Sequence, residues 1–194
     1  MRIGIDVMGG DHAPDAILAG SLDAMDLLDP EDHLVLVGDE PIIREVLDER
    51  GMSGNSRIQI EPTSQVITMA EPPVSAIRAK PDSSIVRLAR LGGHRHSGDH
   101  HCEVIISAGN TGACVAAAQM SMRRLPGVHR PGIAVILPTF FGPIVICDVG
   151  ANPEPKPMHL YQYGHMASVY AQRVVGIANP RVALLSIGGE ESKG

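Results

Sequence analysis

The sequence has no tryptophan, two phenylalanines and three tyrosines in 194 residues, so aromatic side chains cannot fill its interior. Ile, Val, Leu and Ala must do so instead, a palette suited to parallel strands buried on both faces. Three cysteines, Cys102, Cys114 and Cys147, give no paired disulfide framework. Cys114 and Cys147 sit in apolar runs, where a reduced, buried thiol is the ordinary state, and a reducing compartment is expected. A basic excess is also missing: 16 Lys and Arg stand against 22 Asp and Glu, a formal charge of −6. With no aromatic residues interleaved among cations, nucleic acid is disfavoured as a partner. No apolar run approaches the ~18 residues that span a bilayer, and Asp6 and Asp11 interrupt the amino terminus before a secretory core forms. A cytoplasmic protein is expected, with peripheral attachment to a membrane left open.

What is present is an ordinary globular composition, 44% hydrophobic and 20% charged, of a length that fits one domain. Apolar runs at 3–7, 33–37, 57–60, 104–107, 132–138, 144–148 and 181–187 predict strands. Between them, helical spacing of apolar residues predicts helices over 14–28, 41–47, 74–80, 84–91, 113–122 and 158–175. Residues 61–73 hold three prolines and little periodicity and read as a surface excursion. The short link 139–143 predicts a hairpin-like, antiparallel pairing of its flanking strands. The alternation implies an α/β fold, a three-layer αβα sandwich around a largely parallel, partly mixed sheet. A single domain over 1–194 is expected, and a final strand followed by a loop with no helix reads as truncation at the carboxyl end.

In such sheets ligands collect beyond the carboxyl ends of strands, where loops and helix starts offer backbone N–H groups. Four loops qualify. In the first, Gly9 and Gly10 precede Asp11, His12 and Pro14; Asp6, Asp11 and His12 are placed to face a ligand, although Asp11 also suits a helix cap. The second, Ser107-Ala108-Gly109-Asn110-Thr111-Gly112, is the most phosphate-like, because its glycines permit close backbone approach while Asn110 and Thr111 offer side-chain donors. Ordinary capping by Asn or Thr is the competing explanation. The third places Asp148 at the end of Ile144 to Cys147, with Asn152 beyond. There Asp148 either accepts N–H bonds within its own turn or orients a substrate group or a catalytic cation. The fourth carries Lys193 after Glu190 and Glu191, and exposure to solvent is the bland alternative for that lysine.

Other chemistries are less well supported. His94, His96, Asp99, His100, His101 and Cys102 invite a zinc reading, but they lack two well-spaced ligand pairs and read as a solvated loop, so no metal is expected. The Gly9-Gly10 turn is not a G-x-G-x-x-G dinucleotide fingerprint, and no G-x-S-x-G nucleophile elbow is present, so no cofactor is expected. Phosphate acting as its own nucleophile needs positioning and charge stabilisation and no activated side chain.

Together, Asp6-Val7-Met8-Gly9-Gly10-Asp11-His12-Ala13-Pro14, Ser107 to Ala113, Leu137-Pro138-Thr139 and Asp148-Val149-Gly150-Ala151-Asn152 resemble the motifs of the PlsX-type phosphate acyltransferases of bacterial phospholipid synthesis. Lys156-Pro157 and His159-Leu160 continue the resemblance, which covers nearly the whole chain. It implies a fold akin to isopropylmalate dehydrogenases and phosphotransacetylases, a homodimer, and conversion of acyl-acyl-carrier protein and orthophosphate to acyl phosphate. It further implies Lys193, Asp148 and Asn152 as catalytic residues. Gly9, Gly10, Asp11, His12, Ser107, Gly109, Asn110, Thr111 and Gly112 are implied as phosphate or substrate ligands. Membrane contact at the inner face is assigned to residues beyond 194. Two departures stand out: Gly189 occupies the first acidic position of the family's last loop, and the histidine-rich segment is longer and more polar. Acyl transfer between phosphate and coenzyme A, and a non-catalytic carrier-protein-binding fragment, remain as alternatives.

Overall fold

The structure is a computed structural model that describes residues 1–93, 100–186 and 188. The chain divides into two compact units, Met1–Arg123 and Arg124–Gly194. No helix among the described residues is long and apolar enough to cross a membrane.

The first unit is an α/β layer structure. Strand β1 (Arg2–Asp6) leads to helix α1 (Asp15–Asp23), which tightens into a 3-10 turn at Ala24–Leu27. Strand β2 (His33–Gly38), helix α2 (Glu40–Glu49) and strand β3 (Ile58–Pro62) follow. Helices α3 (Pro73–Ala79) and α4 (Ser84–Leu91) precede strand β4 (Val104–Ile106) and helix α5 (Thr111–Ser121). The four strands form one parallel sheet in the order β3-β2-β1-β4. Its register sets Ile3 opposite both Leu34 and Val104.

Side-chain alternation along the strands explains the layers. Ile3, Ile5, Leu34 and Leu36 face one side and pack with Leu18, Leu22, Met25, Ile43 and Leu47 of the first two helical segments. Val35 and Val37 face the other side and pack with Leu88 and Leu91 of α4 and with Cys102. A third cluster lies among the helices of that side, where Ala76, Ile77, Ile85, Ala89, Ala113 and Ala117 join Ile67. Helices thus cover both faces of the sheet, as the sequence implies. Gly4 leaves room for α4: a Cβ there would sit 2.9 Å from Leu88 Cδ1 and 3.3 Å from Cys102 Sγ, so the Leu88 side chain would have to shift. Helix α2 begins where Asp39 Oδ1 accepts the Ile42 N–H, with Pro41 in the first turn.

The second unit holds strands β5 (Ala134–Leu137) and β6 (Ile144–Cys147), paired antiparallel as a sheet of their own. Thr139 and Gly142 close the turn by exchanging backbone hydrogen bonds, and the φ of +110° at Gly142 suits glycine. Helix α6 (Pro157–Tyr170) runs into a π-helical turn at Ala171–Val175 and stops at Gly176, which is left-handed at φ +81°. Tyr163, buried on α6, donates to the Pro131 carbonyl at 3.3 Å.

Two expectations need correction. Residues 181–186 form no strand, and Val182, Leu184 and Leu185 are exposed; a strand exists through its ladder, and no strand partner pairs with this run among the described residues. Ile187, the last residue of that expected strand, lies outside the described residues. The segment after β3 is more than a surface excursion, because Ile67 is 3% exposed and belongs to the third core cluster.

Candidate functional site

Two of the four loops meet at the carboxyl ends of adjacent strands, β1 and β4, in the first unit. Their backbones touch: a Cβ on Gly9 would lie 2.9 Å from the Gly109 nitrogen, and one on Gly109 would lie 3.3 Å from the Gly9 Cα. Space alone therefore requires glycine at position 9, while a Cβ at position 109 would need its neighbours to give by a few tenths of an ångström. Gly10, next along, sits at φ +124°, where a side chain is strained, and faces Ala108.

Asp6 joins the two loops. It is fully buried at the end of β1; Oδ1 accepts the Met8 N–H at 3.1 Å and Oδ2 accepts the Ser107 hydroxyl at 2.7 Å. The Ser107 oxygen in turn accepts the Gly109 N–H at 3.1 Å and the Cys114 thiol at 3.5 Å. Burial pushes the Cys114 thiol up, and the charge of Asp6 pushes the same way, so a thiolate nucleophile is disfavoured there.

Asn110 is buried, and its whole side chain is engaged. Oδ1 accepts the Ala113 N–H at 3.0 Å and caps α5, while Nδ2 donates to the carbonyls of Thr68, Met69 and Glu71. What this residue can offer a ligand is backbone. Thr111 and Gly112 are exposed, and their N–H groups belong to the helix start, where no intrahelical acceptor exists and the helix dipole is positive. Pro73 closes over the same end, since a Cβ on Gly112 would meet its ring at 2.5 Å. Segment 68–71 is itself braced: Glu71 accepts the Thr68 N–H at 2.7 Å and the Lys80 ammonium at 2.8 Å. Lys80 also donates to the Val66 carbonyl at 2.7 Å. These bonds hold Glu71 far below the usual carboxylate range, at about 2.

Asp11 and His12 are exposed in the first loop, and the capping role that Asp11 suits is not taken up. The N-cap of α1 is Pro14, with no side-chain cap.

In the second unit Asp148 closes a turn. It accepts from the N–H groups of Ile133 at 2.8 Å, Ala151 at 3.2 Å and Asn152 at 2.7 Å, and from Asn152 Nδ2 at 3.2 Å. Burial works to raise its carboxyl, but these donors outweigh it and hold the carboxyl below the usual aspartate range. Asn152 Nδ2 also donates to the Pro131 carbonyl at 2.8 Å. This is the internal-turn geometry that the sequence offers as one of two readings of Asp148. Burial pushes the Cys147 thiol up as well. Lys193, Glu190 and Glu191 lie outside the described residues.

His94, His96 and Asp99 of the histidine-rich run also lie outside the described residues. Cys102 is buried against Gly4, and the His101 ring contacts the Leu91 carbonyl at 3.1 Å. Among the described residues no three metal-binding side chains gather. A surface groove lined by Arg44, Leu47, Met52 and Ile58 lies beside α2 and β3, away from the glycine loops, and brings no cluster of reactive groups.

Sequence reasoning undervalued Asp6 and missed segment 68–71. The signal for Asp6 is the one that singles out Asp148: a carboxylate ending an apolar strand beside glycine. Nothing local in 68–71 announces its contact with Asn110, which joins residues 39 to 42 positions apart.

Residues 1–194 match the model of a family described as "Fatty acid synthesis protein". The chain is 46% identical over 194 residues to a protein named phosphate acyltransferase from Heliobacterium modesticaldum, covering all of this chain and 56% of that one. It is 43% identical to proteins of the same name from Desulfitobacterium hafniense and Bacillus cereus, covering 55% and 56% of their lengths. The chain thus spans just over half the length of these relatives.

Proposed function

The chain belongs to the fatty acid synthesis protein family, and we propose that it is part of a phosphate acyltransferase that joins orthophosphate to the acyl group of acyl-acyl-carrier protein. The observation that carries this reading is the meeting of Gly9 and Gly109 beside the start of α5, where the N–H groups of exposed Thr111 and Gly112 have no intrahelical acceptor and a positive dipole suits a phosphate group. The names of the relatives support phosphate as the acyl acceptor.

In the proposed reaction a phosphate oxygen attacks the thioester carbonyl and the new C–O bond forms. The tetrahedral intermediate collapses, the C–S bond breaks, and the leaving thiolate takes up the proton that the attacking hydrogen phosphate gives up. No covalent enzyme intermediate is needed, which suits a site whose cysteine is protonated. Gly9, Gly10, Thr111 and Gly112 hold phosphate through backbone groups; Gly109, whose N–H goes to the Ser107 oxygen, lets the two loops meet, Ser107 and Asn110 fix the loop backbone in place, and Asp11 and His12 border the first loop. Lys193 neutralises charge on the attacked carbonyl oxygen, a contribution of about 3 kcal/mol for one well-placed donor. Asp148 and Asn152 maintain the turn of the second unit. The active protein is proposed to be a homodimer, with peripheral membrane contact supplied by residues outside this chain.

The test uses the full-length parent protein. Acyl phosphate should form from the carrier-protein thioester and much more slowly from the coenzyme A thioester, and Lys193→Ala should lower turnover at least a hundredfold with an unchanged melting temperature. Preference for coenzyme A would make the protein a phosphotransacetylase-like enzyme, and unchanged turnover in Lys193→Ala would remove that residue from the mechanism.

A further inference from the structure

We infer that Asp6 is a positioning residue whose buried carboxylate, acting through Ser107, sets the backbone of the second glycine loop for phosphate. The inference rests on the reading of these loops as a phosphate site and assigns that site a residue beyond its ligands.

A buried carboxylate is costly unless a cation or several donors compensate it. Asp6 has two donors, the Met8 N–H and the Ser107 hydroxyl, and none of the ion pairs among the described residues includes it. An apolar residue would fill the end of β1 at less cost, so fold stability does not explain an acid here.

Its connections give the explanation. Because the hydroxyl hydrogen of Ser107 points to Asp6, the Ser107 oxygen keeps its lone pairs for the Gly109 N–H, which lies at 3.1 Å. That bond fixes the peptide between Ala108 and Gly109, two residues before α5 begins at Thr111. The other oxygen of Asp6 takes the Met8 N–H and fixes the approach to Gly9. One carboxylate thus sets both loops, and Gly9 must lack a side chain because its Cβ would lie 2.4 Å from Asp6 Oδ2. Asp6 itself need not touch phosphate. Its negative charge is better kept off the anion.

Asp6→Asn separates this role from a structural one. The amide is isosteric and keeps an acceptor for Met8, but its N–H group must face Ser107, which turns the hydroxyl hydrogen away and disturbs the bond to Gly109. Neutralising a buried acid should leave the melting temperature unchanged or raised. In the full-length parent protein, the Kd for inorganic phosphate, titrated directly, should rise at least tenfold, and KM for phosphate with it, while KM for the acyl donor changes less than threefold. Ser107→Ala should act in the same direction, and the double variant should be no worse than the more impaired single one, because both act along one chain of bonds.

A lowered melting temperature with unchanged phosphate affinity would make Asp6 structural and overturn the inference, leaving the acyltransferase reading intact. If Asp6→Asn does not fold, Ser107→Ala decides alone by the same phosphate Kd. Wild-type protein that binds phosphate yet forms no acyl phosphate would sink the acyltransferase reading only; failure to bind phosphate at all would remove both.

Discussion

Asn110 and Glu71, 39 residues apart, are joined where Asn110 Nδ2 donates to the Glu71 carbonyl at 3.0 Å. The same amide holds Thr68 and Met69, and the same side chain caps α5. The residue that most resembles a phosphate ligand in the sequence is thus the rivet between the helix start and the segment beside it.

Asn110→Ala is accordingly expected to cost stability as well as turnover. Loss of the cap and of a buried donor to three carbonyls amounts to about 2–3 kcal/mol. Asn110→Asp keeps the cap acceptor but turns an oxygen toward those carbonyls, and should be at least as destabilising. Denaturant melts of both variants check this; an aspartate variant as stable as wild type would show that the tether carries no weight.

Gly9→Ala should abolish phosphate-dependent turnover, by at least a hundredfold, because the added methyl meets Asp6 Oδ2 at 2.4 Å and the Gly109 backbone at 2.9 Å. Neither atom belongs to a flexible chain end, so the loops must separate. Gly20→Ala, which meets nothing within 4 Å on the exposed side of α1, provides the comparison and should retain activity. Steady-state rates of the two variants decide it.

How much of this could be read from sequence differs by residue. The parallel sheet is legible because Ile3, Leu34 and Val35 belong to apolar runs too short for helices and bounded by turn residues. The hairpin is legible for a similar reason, its turn residues Thr139 and Gly142 lying between two β-branched runs. The expected strand is absent over 181–186 because pattern reports the propensity of a run and not the presence of a neighbour to pair with. In the candidate site, glycines and strand ends locate both loops, but the use of each side chain depends on distant partners. Asn110 looks alike whether it caps a helix, ties down residues 68–71 or binds phosphate, and only the fold decides among them.

Asp148→Asn should loosen the turn of the second unit by about 2–4 kcal/mol, because an amide nitrogen replaces an oxygen among four N–H donors. The wild-type turn should show the same weakness in acid. Its carboxyl is held below the usual aspartate range, so its stabilisation is complete above that range and fades as pH falls through the lowered value. Hydrogen exchange at the Ile133 and Asn152 amides, followed downward from pH 5, checks both statements. Protection that persists unchanged in Asp148→Asn would contradict them.

Glu71 offers a second pH signature. The Lys80 ammonium first, then the Thr68 N–H, lower its carboxyl to about 2 from an ordinary value of 4.5. A lowered folded-state value contributes stability above the ordinary value and loses it as pH falls toward the lowered one. The difference in melting temperature between wild type and Glu71→Gln should therefore be constant above about pH 5 and shrink toward zero near pH 2. A difference that does not vary with pH would mean that the Glu71 charge adds nothing.

Whether orthophosphate itself becomes part of the acyl product is decided by following its atoms. Full-length parent protein is incubated with an acyl-acyl-carrier protein and phosphorus-labelled orthophosphate, and label is sought in acyl phosphate while free carrier thiol is counted. One labelled acyl phosphate is expected for each thiol released, with both products lost in Gly9→Ala. Thiol release that proceeds without phosphate, or with no label in the acyl product, would contradict it.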